Sequence, residues 1–339
     1  MTNIIISIKN LYKIFGDNPK NMMQYLLEGI LKQDLLDQHN HVLALNNINL
    51  DIKSKHIHVI MGLSGSGKST LIRHVNRLIE PTSGKIIVDG KNMLEMSDDE
   101  LREFRRFKAS MVFQKFALLP HRTVIKNVAY GLLIQGVKKA EVYERSQKWI
   151  DKVSLNGYEN SYPYQLSGGM QQRVGLARAM ATDAGILLMD EAFSSLDPLI
   201  RSSMQEILLD LQKELNKTII FITHDLNEAL RIGDQISILR DGEIIQTGSP
   251  EDILLGPKDK YISNFIKDIN RGRMLKVSSI MRKNTSIKAP KILDNISIED
   301  AIPILASTSE GLAAVVNKNG NIIGKVSLDS AISALSSKK

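Results

Sequence analysis

The chain has 339 residues, of which 43% are hydrophobic, and a net charge of +7 from 44 basic and 37 acidic residues. This length predicts about two domains, and no apolar stretch approaches the roughly 20 residues that a membrane-spanning helix needs. The absence of cysteine excludes disulfides and thiolate metal sites, and the dispersed charges favour a solvated surface over a block that binds nucleic acid or lipid.

The first 53 residues predict two strands separated by a helical segment. Residues 4–10 alternate enough to form an edge strand, and Phe15 follows a short distance before a glycine-rich loop. Its ring could stack on a purine, although burial in a core explains an aromatic residue there equally well. Residues 17–41 have helical spacing and predict a peripheral helical insert packed on the domain, with contact to a partner as the alternative. The residues that fall roughly on its packed face are Met22, Tyr25, Leu26, Ile30, Leu31, Leu35 and Leu36. Residues 43–53 alternate again and predict the second strand.

The stretch Gly62–Thr70 matches the phosphate-binding pattern G-x-x-x-x-G-K-[ST] at every position, between a predicted buried strand and a predicted helix. Backbone N–H groups of such a loop converge on an anion, the helix N-terminus adds its dipole, and Lys68 adds a full charge. The hydroxyl of Ser69 suits the Mg²⁺ that accompanies a nucleoside triphosphate. A chance Gly/Ser-rich turn is the alternative. The predicted nucleotide-binding residues here are Gly62, Ser64, Gly65, Ser66, Gly67, Lys68, Ser69 and Thr70.

A second candidate anion site follows in the middle of the chain. The intervening elements are predicted as strands at 85–90 and 110–113 and as helices at 101–107, 123–134 and 138–153. Ser167, Gly168 and Gly169 then stand directly before an amphipathic helix predicted over 170–182. A serine and two glycines at a helix N-terminus favour an anion by the same physics as the first loop.

Two further strands are predicted to deliver polar residues to the edge of a parallel sheet. An apolar run over 186–189 ends in Asp190 and Glu191, which suit a Mg²⁺ ligand and a base that activates water. Surface turn residues are the alternative. The strand predicted over 217–223 delivers His224, whereas the other six histidines have no such placement. Between these strands, residues 194–198 predict the cap of another helix.

In this order, the motifs resemble those of the nucleotide-binding subunits of ATP-binding cassette (ABC) transporters, over roughly residues 1 to 255. The resemblance implies that Phe15 stacks on adenine and that Gly62–Thr70 is the Walker A loop. It also implies that Gln114 is the Q-loop residue near Mg²⁺ and the attacking water. Leu166-Ser167-Gly168-Gly169-Met170-Gln171 matches the signature motif, which assigns Ser167, Gly168, Gly169 and Gln171 to nucleotide binding.

The same resemblance assigns the catalytic residues. Asp190 ends the Walker B motif and is a Mg²⁺ ligand with Ser69 and Gln114, while Glu191 is the catalytic base. Ser195-Leu196-Asp197 matches the D-loop, with Asp197 at the nucleotide, and His224 is the switch histidine that holds the γ-phosphate. Lys68 completes the catalytic set.

The family resemblance also implies a fold, an assembly and a location. The fold is an α/β P-loop NTPase of the ABC type, with a mixed core sheet, an antiparallel β subdomain and a helical subdomain. Two subunits stack head to tail, so that ATP on one Walker A loop is covered by the signature helix of the other. The homodimer binds permease subunits in the membrane, and reaches a substrate-binding protein through them, with no nucleic-acid partner. We therefore expect a peripheral protein on the cytoplasmic face of the inner membrane.

Three segments narrow the resemblance to the glycine betaine/proline importers: 10–19, 113–122 and 191–201. Importers of trimethylamine N-oxide, choline, methionine or a polyamine remain alternatives. A nucleic-acid-associated ABC ATPase is a further alternative, because the isoelectric point is near 9.3. Such proteins carry a coiled coil or zinc-binding cysteines within the cassette, and the short span between Gln114 and Ser167 has neither.

The last quarter predicts a linker at 256–275, helical over 258–272, followed by a small α+β domain at 276–339. Residues 277–281 open a segment predicted in the order strand, helix, strand, strand, helix, with a hairpin at 312–326. This segment resembles about one cystathionine-β-synthase-type (CBS) repeat, which implies a regulatory role. It would pair with its copy across the dimer. A cap that only aids dimerisation is the alternative.

Overall fold

A computed structural model describes residues 3–267, 269–283, 287 and 289–335 of the chain. The first two residues of the predicted ATPase domain, residue 268 of the predicted linker, and residues 284–286, 288 and 336–339 of the predicted C-terminal domain lie outside the described residues. The chain divides into two compact units, Met1–Thr247 and Gly248–Lys339. Among the described residues, no helix combines the length and the apolarity that crossing a bilayer requires.

The strands that build the first unit are β1 (Ile4–Phe15), β2 (Val42–Lys53), β3 (Ile57–Met61), β4 (Ser83–Val88), β5 (Lys91–Asn92), β6 (Ala109–Val112), β7 (Ile186–Asp190), β8 (Thr218–Thr223), β9 (Gln235–Arg240) and β10 (Glu243–Gly248). Its helices are α1 (Met23–Leu27), α2 (Lys32–His39), α3 (Lys68–Val75), α4 (Asp98–Phe107), α5 (Val124–Ile134), α6 (Lys139–Lys152), α7 (Gly168–Ala181), α8 (Pro198–Leu215) and α9 (Leu226–Ile232).

The central sheet of the first unit has the strand order β10-β9-β3-β8-β7-β6. Strand β3 pairs in parallel with β8 and β9, and β7 pairs in parallel with β6 and β8. Each residue of β3, β7 and β8 is buried, as a strand in the middle of a parallel sheet requires. Because parallel strands share one carboxyl edge, the segments after β3, β7 and β8 meet there.

A second sheet has the order β2-β1-β4-β5, and its pairings are antiparallel. Strand β1 pairs on both sides, since Ile8 lies opposite Leu50 of β2 and Ile86 of β4. The prediction of an edge strand at 4–10 is therefore wrong. An alternating apolar pattern indicates which face of a strand is buried. It does not indicate whether the strand hydrogen-bonds to one neighbouring strand or to two. The strand also continues to Phe15, through an irregularity at Asn10, whose φ is +46°.

A shared hydrophobic core lies between the two sheets. Ile8 and Leu45 of the antiparallel sheet join Ile60 and Ile220 of the central sheet in one buried cluster, which also takes in Leu71 of helix α3. Burial of such side chains is worth about 1.5 to 3 kcal/mol each. The cluster therefore fixes α3 between the two sheets, and with it the loop that precedes the helix.

The predicted helical insert at 17–41 is broken into a 3₁₀ turn and two short helices, α1 and α2. Gly29 separates the helices and has a φ of +93°, which favours glycine. Leu35 is buried in a small cluster with Ile14 and Leu43. Leu31, which the helical spacing assigned to the packed face, is 68% exposed, because the break at Gly29 ends the periodicity.

The elements of the second unit are α10 (Pro250–Leu255), α11 (Lys260–Phe265), α12 (Arg271–Met274), α13 (Val277–Ile280), β11 (Lys291–Leu293), α14 (Ile298–Ala306), β12 (Leu312–Val316), β13 (Ile322–Ser327) and α15 (Leu328–Leu335).

The order strand, helix, strand, strand, helix is present in this unit, from β11 to α15. Strand β12 pairs in parallel with β11 and antiparallel with β13, which forms the predicted hairpin. The first strand lies at Lys291–Leu293, and the stretch that was predicted to open the segment forms helix α13. The single helical linker predicted over 258–272 is present as two short helices, α11 and α12.

Candidate nucleotide-binding and catalytic site

The glycine-rich loop joins β3 to α3, and close packing explains two of its glycines. A Cβ atom on Gly62 would lie 2.1 Å from the carbonyl oxygen of Leu239, and one on Gly67 would lie 2.6 Å from that of Ala44. Gly67 also has a φ of +101°, in the left-handed region. Any side chain at either position would push the loop off the strands that support it.

Two polar side chains of the loop are buried at its centre. The Nζ atom of Lys68 donates to the carbonyl oxygens of Gly62 at 2.9 Å and Leu63 at 3.0 Å, and the side chain is 4% exposed. The Oγ atom of Ser66 is buried and has no hydrogen-bond partner among the described residues. A buried hydroxyl without a partner and a buried ammonium in the same loop fit an anionic ligand with oxygen acceptors.

Helix α3 is tied to the end of β7 through Asp190. Its Oδ1 atom accepts a 2.7 Å hydrogen bond from Ser69 Oγ, and its Oδ2 atom lies 3.1 Å from Arg73 Nη2. Asp190 is almost completely buried. A hydroxyl next to a carboxylate gives the hard oxygen donors that Mg²⁺ prefers.

Glu191 lies at the centre of the predicted catalytic residues. Its Oε1 atom is 3.5 Å from Lys68 Nζ. Its Oε2 atom accepts a 3.1 Å hydrogen bond from Gln114 Nε2 and lies 3.6 Å from His224 Nδ1. One carboxylate thus contacts residues delivered by the glycine-rich loop, by the segment after β6 and by the segment after β8.

The backbone of Glu191 has a left-handed conformation with a φ of +46°, uncommon for a residue with a side chain. Its N–H donates to Ile222 O at 3.2 Å, and its carbonyl oxygen accepts from the backbone N–H and the hydroxyl of Ser194. These bonds hold the chain as it leaves β7. The turn aims the carboxylate across the sheet edge towards the glycine-rich loop.

Phe15 lies at the end of β1 with 41% of its side chain exposed, so the alternative of burial in a core is wrong. Its ring carries the Lys13 ammonium 4.7 Å from its centroid. Phe15 pairs with Val42 of β2, two residues before the Ala44 carbonyl that packs on Gly67. The exposed ring is therefore on the strand pair that supports the glycine-rich loop.

The second predicted anion site is built at the start of α7. Ser167 caps this 14-residue helix by accepting a hydrogen bond from the N–H of Met170, and Gly168 and Gly169 form its first turn. Gln171 Nε2 donates to Leu166 O at 3.2 Å. In the described part of the chain, no hydrogen bond or ion pair joins these residues to the glycine-rich loop.

Asp197 caps helix α8, because its Oδ1 atom accepts from the N–H groups of Leu199 and Ile200. A Cβ atom on Gly169 would lie 2.7 Å from Cγ2 of Ile200, so the starts of α7 and α8 are packed together. The predicted site residues therefore form two groups. The first contains Lys68, Ser69, Gln114, Asp190, Glu191 and His224, and the second contains Ser167, Gly168, Gly169, Gln171 and Asp197.

Two arginines at the site were not predicted. Arg73 contacts Asp190, and its spacing of four residues from Ser69 places both on one face of α3, which a helical projection would have shown. Arg201 contacts Asp225, the residue that follows His224, across 24 positions of sequence. No local pattern could have shown that second contact.

Comparisons with known proteins identify the family of this chain. A family model described as ABC transporter matches residues 45–194. The glycine betaine/proline betaine transport ATP-binding protein ProV of Escherichia coli is 44% identical over 99% of this chain and 84% of its own length. The glycine betaine transport ATP-binding protein OpuAA of Bacillus subtilis is 51% identical over 85% of this chain and 69% of its own length. The trimethylamine N-oxide transport protein TmoW of Pelagibacter ubique is 42% identical over 96% of each chain.

Among solved structures, a dimeric bacterial ABC transporter cassette is similar with a TM-score of 0.63 at 33% identity, covering 73% of this chain and 99% of its own. A dimeric cassette in a post-hydrolysis state, bound to ADP and Pi, gives a TM-score of 0.62 at 32% identity, with the same coverage. The fold is that of an ABC ATPase, a P-loop NTPase. The chain belongs to the ATP-binding proteins of ABC transporters.

Proposed function

We propose that this protein is the ATP-hydrolysing, energy-coupling subunit of an ABC importer for glycine betaine, proline betaine or a related quaternary amine. The observation that carries the enzymatic part is the convergence of Lys68, Gln114 and His224 on the carboxylate of Glu191. Three separate segments bring a cation, an amide and an imidazole to one acid beside a phosphate-binding loop. That set suits the positioning of water and the stabilisation of charge in phosphoryl transfer.

The glycine-rich loop holds the triphosphate. Lys68 bonds its own loop carbonyls in this structure, and its ammonium would exchange those weak acceptors for phosphate oxygens. Ser64, Gly65, Ser66 and Thr70 complete the loop, with the buried hydroxyl of Ser66 available as a donor. Phe15 offers an exposed ring to the adenine base.

The oxygen atoms of Ser69, Asp190 and Gln114 fit a Mg²⁺ ion, which when bound supplies charge neutralisation to the phosphates. Glu191 acts as the general base: it takes a proton from water while the water oxygen bonds to the γ-phosphorus and the bond to ADP breaks. Gln114 orients that water, and His224 holds the γ-phosphate. The backbone hydrogen bonds of Glu191 hold its carboxylate in position relative to Gln114 and His224.

The second group of site residues, at the starts of α7 and α8, completes the site in a dimer. Ser167, Gly168 and Gly169 present backbone N–H groups at the start of a long helix, and no bond in the described residues connects them to the loop of the same chain. A head-to-tail dimer brings this helix end, with Gln171 and Asp197, to the nucleotide of the partner subunit. ATP binding therefore closes the dimer and hydrolysis reopens it.

The importer assignment extends to partners and location. The relatives named above are transport ATP-binding proteins, which supports docking on permease subunits at the cytoplasmic face of the inner membrane, and through them the use of a substrate-binding protein. The predicted ATPase domain, residues 1–255, includes the first compact unit, Met1–Thr247, and carries the helical insert at 17–41. The linker at 256–275 leads to a CBS-like regulatory segment at 276–339, supported by the order of its strands and helices.

The identity of the solute is tested by reconstituting this ATPase in proteoliposomes with permease subunits and a substrate-binding protein of a quaternary-amine importer. We expect ATP-dependent uptake of labelled glycine betaine that the Glu191→Gln variant does not support. Trimethylamine N-oxide, choline and methionine are measured in parallel, because a 42% identical relative is a trimethylamine N-oxide transport protein. Preferential uptake of one of these would replace the betaine assignment, and ATPase activity stimulated only by duplex nucleic acid would overturn the importer class.

A further inference from the structure

Arg201, in the first turn of α8, connects two loops that reach the site from different sides. Its Nη2 atom donates to the carbonyl oxygens of Leu196 at 3.0 Å and Ser194 at 3.3 Å, both in the segment before α8 that contains the D-loop. Its Nη1 atom donates to Asp225 Oδ2 at 3.3 Å. Asp225 directly follows His224. One guanidinium thus spans the D-loop and the loop that carries the switch histidine.

Asp225 is held rigidly, so that the contact with Arg201 bears on the backbone next to His224. Its Oδ1 atom caps helix α9 by accepting from the N–H groups of Asn227 at 2.8 Å and Glu228 at 3.2 Å. Its own N–H donates to Thr223 Oγ1 at 2.9 Å. A shift of this carboxylate would therefore shift the turn between β8 and α9, which contains His224.

The ion pair between Arg201 and Asp225 is partly buried, so solvent screens it less than a pair on the surface. The side chains of Arg201 and Asp225 are 28% and 30% exposed. A planar guanidinium that donates to three acceptors fixes their relative positions in a way that a flexible ammonium does not. Removal of Arg201 would leave two carbonyls and a carboxylate without this shared donor.

We propose that Arg201 is a positioning residue that makes the placement of His224 depend on the conformation of the D-loop. This inference rests on the proposed function, in which the D-loop meets the partner subunit and His224 contacts the γ-phosphate. Closure of the dimer fixes the conformation of the D-loop. Through its bonds to the D-loop segment and to Asp225, Arg201 then fixes the position of His224 in the same chain. Hydrolysis would then follow dimer closure even though Arg201 touches no nucleotide.

Arg231 supplies a matched control on the same pair of helices. It joins α9 to α8 by donating to Ser202 Oγ at 2.7 Å, Gln205 Oε1 at 2.9 Å and Glu206 Oε1 at 3.0 Å. It therefore makes as many side-chain hydrogen bonds between the two helices as Arg201 makes in total. Among the described residues, it makes no hydrogen bond or ion pair with the D-loop or with Asp225.

The test compares steady-state ATP hydrolysis by R201A and R231A, with thermal unfolding measured on the same samples. We expect R201A to lower kcat at least tenfold while KM for ATP changes less than threefold, and R231A to retain wild-type kcat. R201K should recover part of kcat, because a lysine at this position can satisfy fewer of the three acceptors. Equal falls in kcat for R201A and R231A, in proportion to lost thermal stability, would overturn the proposal.

Two further variants separate positioning from folding. D225N keeps the Oδ1 cap of α9 but turns an amide towards Arg201, so kcat should fall without a large change in melting temperature. In a double-mutant cycle, R201A should cost little once His224→Ala is present, because both changes act on one group. Full activity of D225N, or additive losses in the cycle, would contradict the inference. Absence of ATPase activity in the wild type would instead contradict the proposed function.

Discussion

Ser69 Oγ donates a 2.7 Å hydrogen bond to Asp190 Oδ1, which connects the first turn of α3 to the last residue of β7. Asp190 ends β7, and α3 follows the loop that leaves the carboxyl end of β3. Strands β3 and β7 flank β8, so the sheet helps to set the separation of the two side chains. Asp190 is also held by Arg73 at 3.1 Å. Loss of the hydroxyl would therefore leave the carboxylate in place and remove one oxygen donor for Mg²⁺.

We expect the Ser69→Ala variant to need more Mg²⁺ for ATP hydrolysis, by about tenfold for each 1.4 kcal/mol of binding energy lost. The measurement is the Mg²⁺ concentration that gives half-maximal activity at saturating ATP. Ser7→Ala is the control, because Ser7 Oγ makes a similar 2.6 Å bond to Asp51 Oδ1 on the antiparallel sheet. An unchanged Mg²⁺ requirement in Ser69→Ala would remove Ser69 from the metal site.

Gly67→Ala should abolish nucleotide binding and destabilise the fold. The new Cβ would meet Ala44 O at 2.6 Å, in addition to the cost of about 1 to 2 kcal/mol for a left-handed backbone. Gly136→Ala incurs only the backbone cost, since its φ is +78° and no atom lies within 4 Å of its Cβ position. Fluorescent-nucleotide titration and chemical denaturation of both variants separate the two effects. Wild-type nucleotide affinity in Gly67→Ala would contradict the packing argument.

Glu191→Gln should bind ATP normally and lose hydrolysis by a factor on the order of 10² to 10⁴, the usual contribution of a general base. The amide keeps the size of the side chain but cannot take a proton from water. Single-turnover hydrolysis and equilibrium ATP binding are measured together. Glu206→Gln serves as the control, because Glu206 is exposed and pairs with Arg231. Turnover within threefold of wild type would exclude Glu191 as the base.

The stability of the fold should fall as the pH is lowered from 6.5 towards 4. Burial is the main cause that lowers the pKa of His58 from its ordinary value of 6.5 to about 4, and its Nε2 atom lies 2.8 Å from Ser237 Oγ. The unfolded chain therefore binds a proton in this range that the folded chain rejects, which lowers stability by roughly 3 kcal/mol.

His58→Gln keeps a polar group at this position and cannot titrate, so its free energy of unfolding should depend less on pH. Part of the dependence should remain, because the pKa of His74 is also lowered to about 4, mainly by burial. Urea titrations at pH 7, 6, 5 and 4 give the comparison. Parallel pH profiles for wild type and His58→Gln would show that His58 does not contribute.

The sequence predicted the parts of this fold in which local pattern and tertiary structure coincide. The buried runs before Lys68 and Glu191 fix strands β3 and β7, and the glycine-rich loop between β3 and α3 has a pattern that only a few conformations satisfy. The interior position of β1 could not be predicted, because the pairing of a strand depends on residues far along the chain. The prediction that Leu31 lies on a packed helical face is wrong for a local reason. A single glycine, Gly29, ends the helical period just before it.

The same distinction applies to the site. Motif order predicted that Gln114, Glu191 and His224 act together. In the structure the side chains of Gln114 and His224 both lie next to the Glu191 carboxylate. The motifs did not predict the left-handed backbone at Glu191, which arises from the bonds to Ile222 and Ser194. They did not predict Arg201 either. Its contact with Asp225 joins residues 24 positions apart, so no motif with a fixed spacing could have predicted it.

In the proposed mechanism two copies of this chain share each ATP site, and sedimentation velocity of the Glu191→Gln variant tests this sharing most directly. With Mg²⁺ and ATP, we expect a dimer that retains one ATP per subunit, and a monomer when ATP is withheld. Addition of Ser167→Arg at the exposed cap of α7 should leave ATP bound to a monomer. An ATP-loaded Glu191→Gln protein that stays monomeric, or a Ser167→Arg form that still dimerises, would contradict the shared site.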